Sequence, residues 1–385
     1  MGILSKTVSI CQYRVVGDPP REGFFDWAAE RLAENAFRSI EHSAEEFSIG
    51  WVAQDESREG RFSAEKVRRD HYLVFSLRRD QRRLPAALLR AHVERTEREF
   101  LAGHAGLRRV PKAKREELKE AVRGALLAKT LPSPAVYDVV WDTRRGLVTF
   151  ASLNGKVAET FEERFKTTFD GLRLVALHPY ARAEAAVAPE LRPRLAEVNG
   201  AKGDGVLELI RDNLWLGRDF LRWLLFRTVN GGCALPVDQP GPAMAGASFN
   251  AFLDDRLILM GEAEEGKQRI TVNGPQNHFD EVRAALRSGK EIVAATLHLE
   301  QGEEAWKLTL KGENFHFAVY RCPPVQLERD ASVDPSLEAE AVFYQRMSQV
   351  EAGLQLFDGL LGEFLRQRLG EGWPATEAAI GETMK

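Results

Sequence analysis

Two long helical patterns that follow each other directly, with strand patterns on both sides, constrain the fold of this chain most strongly. The spacing of apolar residues predicts helices over 82–104 and 112–129, with Gly106 as the stop of the first and Pro111 near the start of the second. Runs rich in aromatic and β-branched residues predict strands at FSIGWV and HYLVFSLRR before the helices, and a hairpin of VYDVVWD and LVTFASL after them. Because helices and strands come in runs and do not alternate singly, the order predicts an α+β fold, with antiparallel sheets and long helical arms.

The length of the chain predicts more than one domain, since single cores stop growing at about 250–300 residues and this chain has 385. We expect an N-terminal α+β region over 1–182, within which residues 82–130 form a basic two-helix arm. Residues 183–205 are rich in Ala, Pro, Glu and Gly and are predicted to be a linker.

The second half of the chain is predicted to hold a second α+β region over 206–330, in which antiparallel strands follow a buried helix. A long helix is predicted over 334–370, with Asp334 as its N-cap, Pro335 in its first turn and Gly370 just past its end. Its length indicates that it bridges other elements or pairs with another chain.

Composition argues against several classes of protein. The longest apolar runs, such as WLLF at 223–226, fall far short of the roughly 20 apolar residues of a membrane span. The N-terminus lacks the apolar stretch and cleavage site of a signal peptide. Cys11, Cys233 and Cys322 are widely separated and odd in number, which argues against a disulfide framework and a zinc site. We therefore expect a cytoplasmic protein with no membrane partner, no metal and no other cofactor.

Positive charge is concentrated in one part of a chain whose formal net charge is −4. Residues 61–129 contain 19 Lys or Arg and 9 Asp or Glu. In the second predicted helix Lys112, Arg115, Lys119 and Arg123 are spaced three, four and four residues apart, which places them on one face. The adjacent face is apolar, so the helix can pack on the body of the protein while it presents this basic stripe.

Further cations flank the stripe. Glu116 stands four residues after Lys112 and is predicted to pair with it. Three pairs of arginines lie upstream of the second helix: Arg78 with Arg79, Arg82 with Arg83, and Arg108 with Arg109. A charged helix is often only a solvated surface, but cations clustered over this length favour an anionic partner. Since Lys and Arg contact phosphates without reading bases, the residues predict sequence-independent binding to the backbone of a duplex.

Motifs for catalysis are mostly absent, because the chain contains no P-loop, no G-x-S-x-G and no H-E-x-x-H. One acidic pattern, formed by Asp254, Asp255, Glu265 and Lys267, loosely matches the carboxylates and lysine that hold Mg²⁺ beside a phosphate in some nucleases. A charged hairpin turn accounts equally well for Glu265 and Lys267. We therefore expect no enzyme activity, with a Mg²⁺-dependent nuclease as an alternative.

A second pair of carboxylates, Asp138 and Asp142, lies four residues apart on one face of a predicted strand. Such a pair could combine a general acid with a general base. Asp142 also stands where a turn begins, and turn chemistry favours Asp there without any catalytic role.

An ordered set of segments resembles RdgC, a family of recombination-associated proteins. In the first half these segments are GWV at 50–52, HYLVFSLRRDQRRLP, KAKREELKEAV, LPSP, VVWDTRRGLVTFAS and AETFEERFKTTFDGLRLVALHP. In the second half GRDFLRWLLFRTVNGG, LDDRLIL, ALRSGKEIVAATLHLEQGEEAWKLTLKG and the final helix resemble the longer members of the family. The set covers nearly the whole chain. It departs from the family at LPSP, where shorter members have Leu-Pro, a basic residue and then Ala-Phe.

The resemblance implies a sequence-independent protein that binds chiefly double-stranded DNA, forms a ring-shaped dimer with a basic central hole and restrains RecA-type strand exchange. It implies a nucleoid-associated location and makes Lys112, Arg115, Lys119 and Arg123 candidates for the DNA-facing side. Besides the nuclease, the alternative is a regulator whose arms bind an acidic partner, such as a recombinase, without a direct role in DNA binding.

Overall fold

A computed structural model describes residues 2–43, 45–54, 62–104, 106–263, 266–275, 279–326 and 335–384. The strands in chain order are β1 (Thr7–Val16), β2 (Phe47–Val52), β3 (Arg68–Arg69), β4 (Tyr72–Gln81), β5 (Ser133–Asp142), β6 (Leu147–Phe150), β7 (Arg173–Ala176), β8 (Ala234–Pro236), β9 (Ser248–Ala263), β10 (Gly266–Val272), β11 (Glu291–Gln301), β12 (Glu304–Lys311) and β13 (His316–Arg321). The helices are α1 (Phe24–Glu34), α2 (Ala64–Val67), α3 (Ala86–Ala102), α4 (Lys112–Lys129), α5 (Gly155–Thr168), α6 (Pro179–Ala186), α7 (Arg192–Glu197), α8 (Val206–Arg211), α9 (Trp215–Val229), α10 (Asp280–Arg287), α11 (Pro335–Arg368) and α12 (Trp373–Thr383). None of these helices is long and apolar enough to cross a membrane.

The chain folds into two compact units whose boundaries differ from the predicted ones. The arm-bearing unit consists of residues 17–144 and 163–172, and the long-helix unit consists of residues 2–16, 145–162 and 173–384. Strands pair antiparallel in both units. This confirms the α+β fold with antiparallel sheets.

In the arm-bearing unit, β4 lies between β2 and β5, and β3 pairs with the start of β4. An aromatic core forms on this sheet, where Phe75 and Trp141 both meet the ring of Phe169 edge-on. Trp51 donates a hydrogen bond from Nε1 to Thr168 Oγ1 at 2.7 Å. This core fixes the position of β4, whose far end leads into the arm.

In the long-helix unit, the strands follow the order β10, β9, β11, β12, β13, β1 and β6. β7 pairs with the second half of β1, and β8 pairs with β9. β9 is one long strand, with Asp255 at a φ of 62° where the pairing of β9 with β11 is irregular.

The long helix α11 packs across this unit against α6, α9 and β11. Trp306 and Tyr320 reach it from the sheet and donate to the carbonyls of Gln349 at 2.7 Å and Val350 at 2.9 Å. Gly353 makes this approach possible, because a Cβ there would lie 2.1 Å from Tyr320 Oη. The helix therefore bridges elements, as its length indicated. The predicted N-cap of α11, Asp334, lies outside the described residues. After α11 the structure has a further helix, α12, where no element was predicted.

The segment predicted as a linker, 183–205, holds the end of α6, a 3-10 turn at Pro189–Leu191 and α7. Leu195 of α7 is 1% exposed, and Arg194 donates to the carbonyl of Leu369 at 2.9 Å. Alanine-rich sequence is helix-forming as well as typical of linkers. The composition alone did not separate the two, and tertiary contacts hold this segment in the long-helix unit.

Candidate nucleic-acid interface

The arm consists of α3, the loop after it and α4, over residues 86–129. Its first helix begins at Ala86, four residues later than predicted, because β4 continues to Gln81 and Pro85 disfavours helical backbone in the residue before it. It ends before Gly103 and not at Gly106. The second helix begins directly after Pro111, as predicted, and the carbonyl of Pro111 accepts from the amide of Arg115 at 2.9 Å.

The arm exposes most of its surface. The helices α3 and α4 pack against each other, but α3 contains no buried residue and α4 contains only Leu127. The apolar side chains that were predicted to pack α4 on the body, such as Leu118 and Val122, are half-buried. A polyanion can therefore reach both helices of the arm.

The basic stripe lies on one continuous helix. At about 100° per residue, its four cations span about 80° of the circumference of α4. Lys112 is exposed, and the side chains of Arg115, Lys119 and Arg123 are 61%, 47% and 42% exposed. The predicted alignment and exposure of the stripe agree with the structure.

Two stripe cations form ion pairs with carboxylates outside α4. Arg115 Nε lies 2.5 Å from Glu97 Oε1 of α3, and Arg123 Nη2 lies 2.6 Å from Glu46 Oε2, just before β2. These contacts orient α4 relative to α3 and to the sheet. Ion pairs at such exposed positions contribute only about 0–1 kcal/mol, so a phosphate can compete for the same guanidinium groups.

The predicted pair between Lys112 and Glu116 does not form. Glu116 instead lies 3.4 Å from Lys119 Nζ on the same helix. Within the described part of the chain, Lys112 has no ion pair. It is therefore the stripe cation with the most freedom to meet an outside anion.

Arg78 and Arg82 lie inside the protein. Arg78 donates to both carboxylate oxygens of Asp80, at 2.8 and 2.7 Å, and covers the ring of Phe37 at 4.3 Å. Arg82 is 5% exposed and donates to four backbone carbonyls of the segment 40–45. Both side chains therefore hold the fold and present little charge to a ligand.

Arg79 and Arg83 project differently because side chains alternate along a strand. Arg79 is half-buried, donates to Gln81 Oε1 at 2.8 Å and lies over the ring of Phe47. Arg83 is exposed and also donates to Gln81 Oε1, at 3.3 Å. The alternation in RRDQRR was the signal that could have separated these two arginines from Arg78 and Arg82.

The loop and the first helix add exposed cations. Arg108 and Arg109 are exposed in the loop, as the sequence indicated. The sequence did not single out a further set of exposed cations on the two helices: Arg90, Arg95, Arg98 and Lys129. Together, residues 86–129 contain 11 Lys or Arg against 6 Glu. Much of the excess positive charge of residues 61–129 therefore lies on the arm.

A family comparison covers this surface. Residues 18–194 match the family described as "Putative exonuclease, RdgC". Residues 18–194 belong to the RdgC family. The match confirms the resemblance over this part of the chain, which includes all ten candidate cations. No curated protein matches the chain.

Membership of the RdgC family points to a recombination-associated protein. The RdgC match ends at residue 194, so it covers the arm and the start of α7 but not the strands β8–β13 or the helix α11. The longer resemblance in the second half of the chain remains a prediction.

The family description names an exonuclease, and a nuclease of the predicted kind needs its carboxylates and lysine close together around a metal ion. Lys267 lies opposite Glu262 in the pairing of β10 with β9. Glu262 lies seven positions after Asp255 on β9, about 23 Å along an extended strand. Lys267 and Asp255 therefore do not meet at one ion, and Glu265 lies outside the described residues.

Asp255 has other partners. Its Oδ2 lies 3.1 Å from His298 Nε2 and contacts Lys307 Nζ. The hydrogen bond from Lys307, with a further one from His298, holds the pKa of Asp255 below its ordinary value despite some burial. Among the described residues, no group of three or more His, Cys, Asp or Glu is placed to hold a metal ion.

The second pair of carboxylates is also separated. Asp138 and Asp142 lie four residues apart on β5, about 13 Å along an extended strand. Asp138 accepts a hydrogen bond from Ser76 Oγ at 2.8 Å, and Asp142 accepts one from the amide of Arg144 at 2.9 Å. Asp142 thus forms the turn that its sequence predicted, and the two groups are too far apart to share a proton.

Proposed function

We propose that the chain binds double-stranded DNA without sequence specificity through the exposed cations of the arm, and that it restrains RecA-type strand exchange in homologous recombination. The observation that carries the proposal is the arm itself. It is a largely exposed helix pair with an excess of positive charge, and it lies within the part of the chain that belongs to the RdgC family.

The shape and charge of the arm suit a phosphate backbone. α4 has 18 residues, and a helix of that length is about 27 Å long. A duplex carries about one negative charge per 1.7 Å of its axis, so several phosphates fall within reach of the arm. Contacts to phosphates fix the position of a protein on DNA and carry no sequence information, which accounts for the proposed lack of specificity.

The proposal includes a ring-shaped homodimer with the arms near a basic hole, and a location at the nucleoid. The resemblance to RdgC implies this assembly.

Binding to two unrelated duplexes, measured by fluorescence anisotropy at low and high salt, tests the proposal. We expect equal affinity for both duplexes and a steep loss with salt. A variant with Lys112, Arg115, Lys119 and Arg123 all changed to Glu should bind far more weakly.

A matched control changes four exposed cations of the long-helix unit to Glu: Lys156, Arg173, Arg192 and Lys202. Affinity that is insensitive to salt, or equal loss in both variants, would contradict the role of the arm. Size-exclusion chromatography with and without a short duplex tests the dimer, and a strand-exchange assay with a RecA-type recombinase tests the restraint.

A Mg²⁺-dependent nuclease is the second candidate, favoured by the family description. Prolonged incubation of end-labelled duplex with the protein and Mg²⁺ tests it, and shortening of the labelled strand would support it. If instead a recombinase binds the arm in the absence of DNA and the arm variant abolishes that binding, the protein acts as a protein-binding regulator.

A further inference from the structure

A groove of about 770 Å³ lies in the long-helix unit, outside the part of the chain that matches RdgC. The start of α9, strands β9, β10 and β11 and the turn between β12 and β13 surround it. Its volume falls in the range of roughly 300–1,000 Å³ that is typical of ligand sites.

The floor of the groove is aliphatic. Ile258 and Ile292 are buried there, Leu214 and Met260 are half-buried, and Ala294 completes the surface. No aromatic residue lines this groove within the described ranges. The floor can therefore accept a large apolar side chain, but it offers no stacking platform for a nucleobase.

Four cations stand around the floor: Arg218, Lys267, Arg269 and Lys311. All four are exposed. Arg218 forms an ion pair with Glu291 at 2.8 Å, whereas the side chains of the other three form no hydrogen bond or ion pair with the described residues. Among the described residues, Glu291 and Glu313 are the carboxylates of the lining, so the described cations outnumber the described carboxylates four to two.

Two glycines bring two of these cations, Arg218 and Lys311, to the same groove. A Cβ on Gly217 would lie 2.1 Å from the carbonyl oxygen of Gly312, so only glycine allows α9 to lie this close to the turn after β12. Arg218 directly follows Gly217, and Lys311 directly precedes Gly312. The close approach of the two backbones thus places a cation from each element at the same groove.

A second chamber of about 580 Å³ adjoins the groove and shares Arg218, Gly289, Glu291 and Ile292 with it. Arg287 and Lys290 line this part, together with Arg222, which pairs with Glu377 of α12 at 3.3 Å. Asp219, Glu291 and Glu377 also line this second chamber, so its charge is mixed. A ligand that follows both chambers must be extended.

We propose that this groove binds an acidic peptide segment that inserts a large apolar side chain into the floor. Carboxylates of such a segment would pair with Lys267, Arg269 and Lys311, while the apolar side chain would cover Ile258, Met260 and Ile292. A nucleic-acid strand fits less well, because the described residues of the lining include no aromatic ring on which its bases could stack.

The test uses the full chain and a fluorescein-labelled peptide of sequence DDLDDLF, measured by anisotropy. We expect saturable binding that is about tenfold weaker for the equally charged peptide DDSDDSS, which has no apolar side chain. The variants Lys267→Glu/Arg269→Glu and Met260→Asp should each lower the affinity for DDLDDLF by about tenfold or more. The matched control Lys156→Glu/Lys202→Glu, at exposed cations away from the groove, should bind within about twofold of the wild type.

Two results would overturn the proposal. One is the absence of saturable binding, or equal affinity of the wild type and both groove variants. The other is displacement of DDLDDLF by oligothymidylate from the variant in which the four stripe cations are Glu, since this would assign the groove to nucleic acid. The arm variant is used for the competition so that DNA bound at the arm does not interfere.

Discussion

The guanidinium of Arg82 donates a hydrogen bond to the carbonyl of Ile40 at 2.8 Å inside the arm-bearing unit. The same side chain donates to the carbonyls of Glu41, Ser43 and Glu45 at 2.7–3.2 Å. Arg82 thus ties the segment before β2 to the end of β4, from which the arm begins. A run of basic residues therefore contains both structural and surface cations.

Replacement of Arg82 by Ala should lower the free energy of unfolding by about 3 kcal/mol, because hydrogen bonds to a charged group disappear and the buried carbonyl of Ile40 and three part-buried carbonyls lose their donor. Urea unfolding measures this effect. Arg83→Ala is the matched control, since Arg83 is exposed and makes one side-chain contact at 3.3 Å. Its change should stay within about 0.5 kcal/mol. Equal effects of the two substitutions would refute the structural role of Arg82.

Much of the fold could be predicted from local pattern. The strand β2 lies at the predicted residues, and α4 begins and ends where the apolar spacing and Pro111 indicated. In these segments burial on one face and backbone preference agree, so periodicity is sufficient to locate them.

The predictions that differ from the structure concern residues whose positions depend on contacts between distant parts of the chain. Leu195 is buried in a segment whose composition resembles a linker, and Arg82 is buried because carbonyls 42 to 37 residues earlier accept its hydrogen bonds. The separation of Lys267 from Asp255 follows from the register of β10 on β9, which a single sequence does not specify. Residue type and spacing therefore identified candidates, whereas burial and register decided which of them lie together.

Removal of loop cations should reduce the salt dependence of DNA binding. Arg108→Ala/Arg109→Ala should lower the slope of log K against log salt by about 0.9 for each phosphate that these arginines bind in the wild type. A salt titration of anisotropy measures the slope. The control Lys156→Ala/Lys202→Ala should leave it unchanged, and an unchanged slope for the loop variant would exclude Arg108 and Arg109 from the interface.

Gly217→Ala should destabilise the long-helix unit by about 1–3 kcal/mol, since the added Cβ overlaps the carbonyl of Gly312 and the backbone must move. It should also weaken binding of the acidic peptide, because Arg218 would move with α9. Gly381→Ala is the control for stability only, because Gly381 lines the second chamber of the groove. It lies in α12 with nothing within 4 Å of its added Cβ. That change should be neutral or stabilise the protein by up to about 1 kcal/mol. Thermal melting of both variants makes the comparison, and equal melting temperatures would contradict the predicted clash.

The three cysteines should react at different rates with a thiol reagent. Burial raises the pKa of Cys11 to about 12 and the pKa of Cys322 to about 11, so neither forms much thiolate at neutral pH. Cys233 is half-buried. Burial raises the pKa of its thiol, and the positive charge of Arg227 partly offsets this rise. A DTNB time course of the folded protein should show Cys233 reacting first. Cys233→Ser should remove that phase, and a fast phase that persists in this variant would show that Cys11 or Cys322 is accessible.

The buried imidazole of His316 should make the protein sensitive to mild acid. Burial, with a smaller contribution from the nearby charge of Lys311, lowers the pKa of His316 from 6.5 to about 4. Between these two values the unfolded chain binds a proton that the folded chain does not. The stabilisation is therefore fully present above pH 6.5 and is lost as the pH falls to about 4.

This difference corresponds to about 3 kcal/mol in the free energy of unfolding, at about 1.36 kcal/mol per unit of pKa. Carboxylates titrate in the same range, so the wild type must be compared with His316→Gln by urea unfolding at several pH values from 7 to 4. The wild type should lose about 3 kcal/mol more than His316→Gln over this range. His42→Gln, at an exposed histidine, should follow the wild type. If His316→Gln shows the same pH dependence as the wild type, His316 has the same pKa in the folded and the unfolded chain, and burial does not lower it.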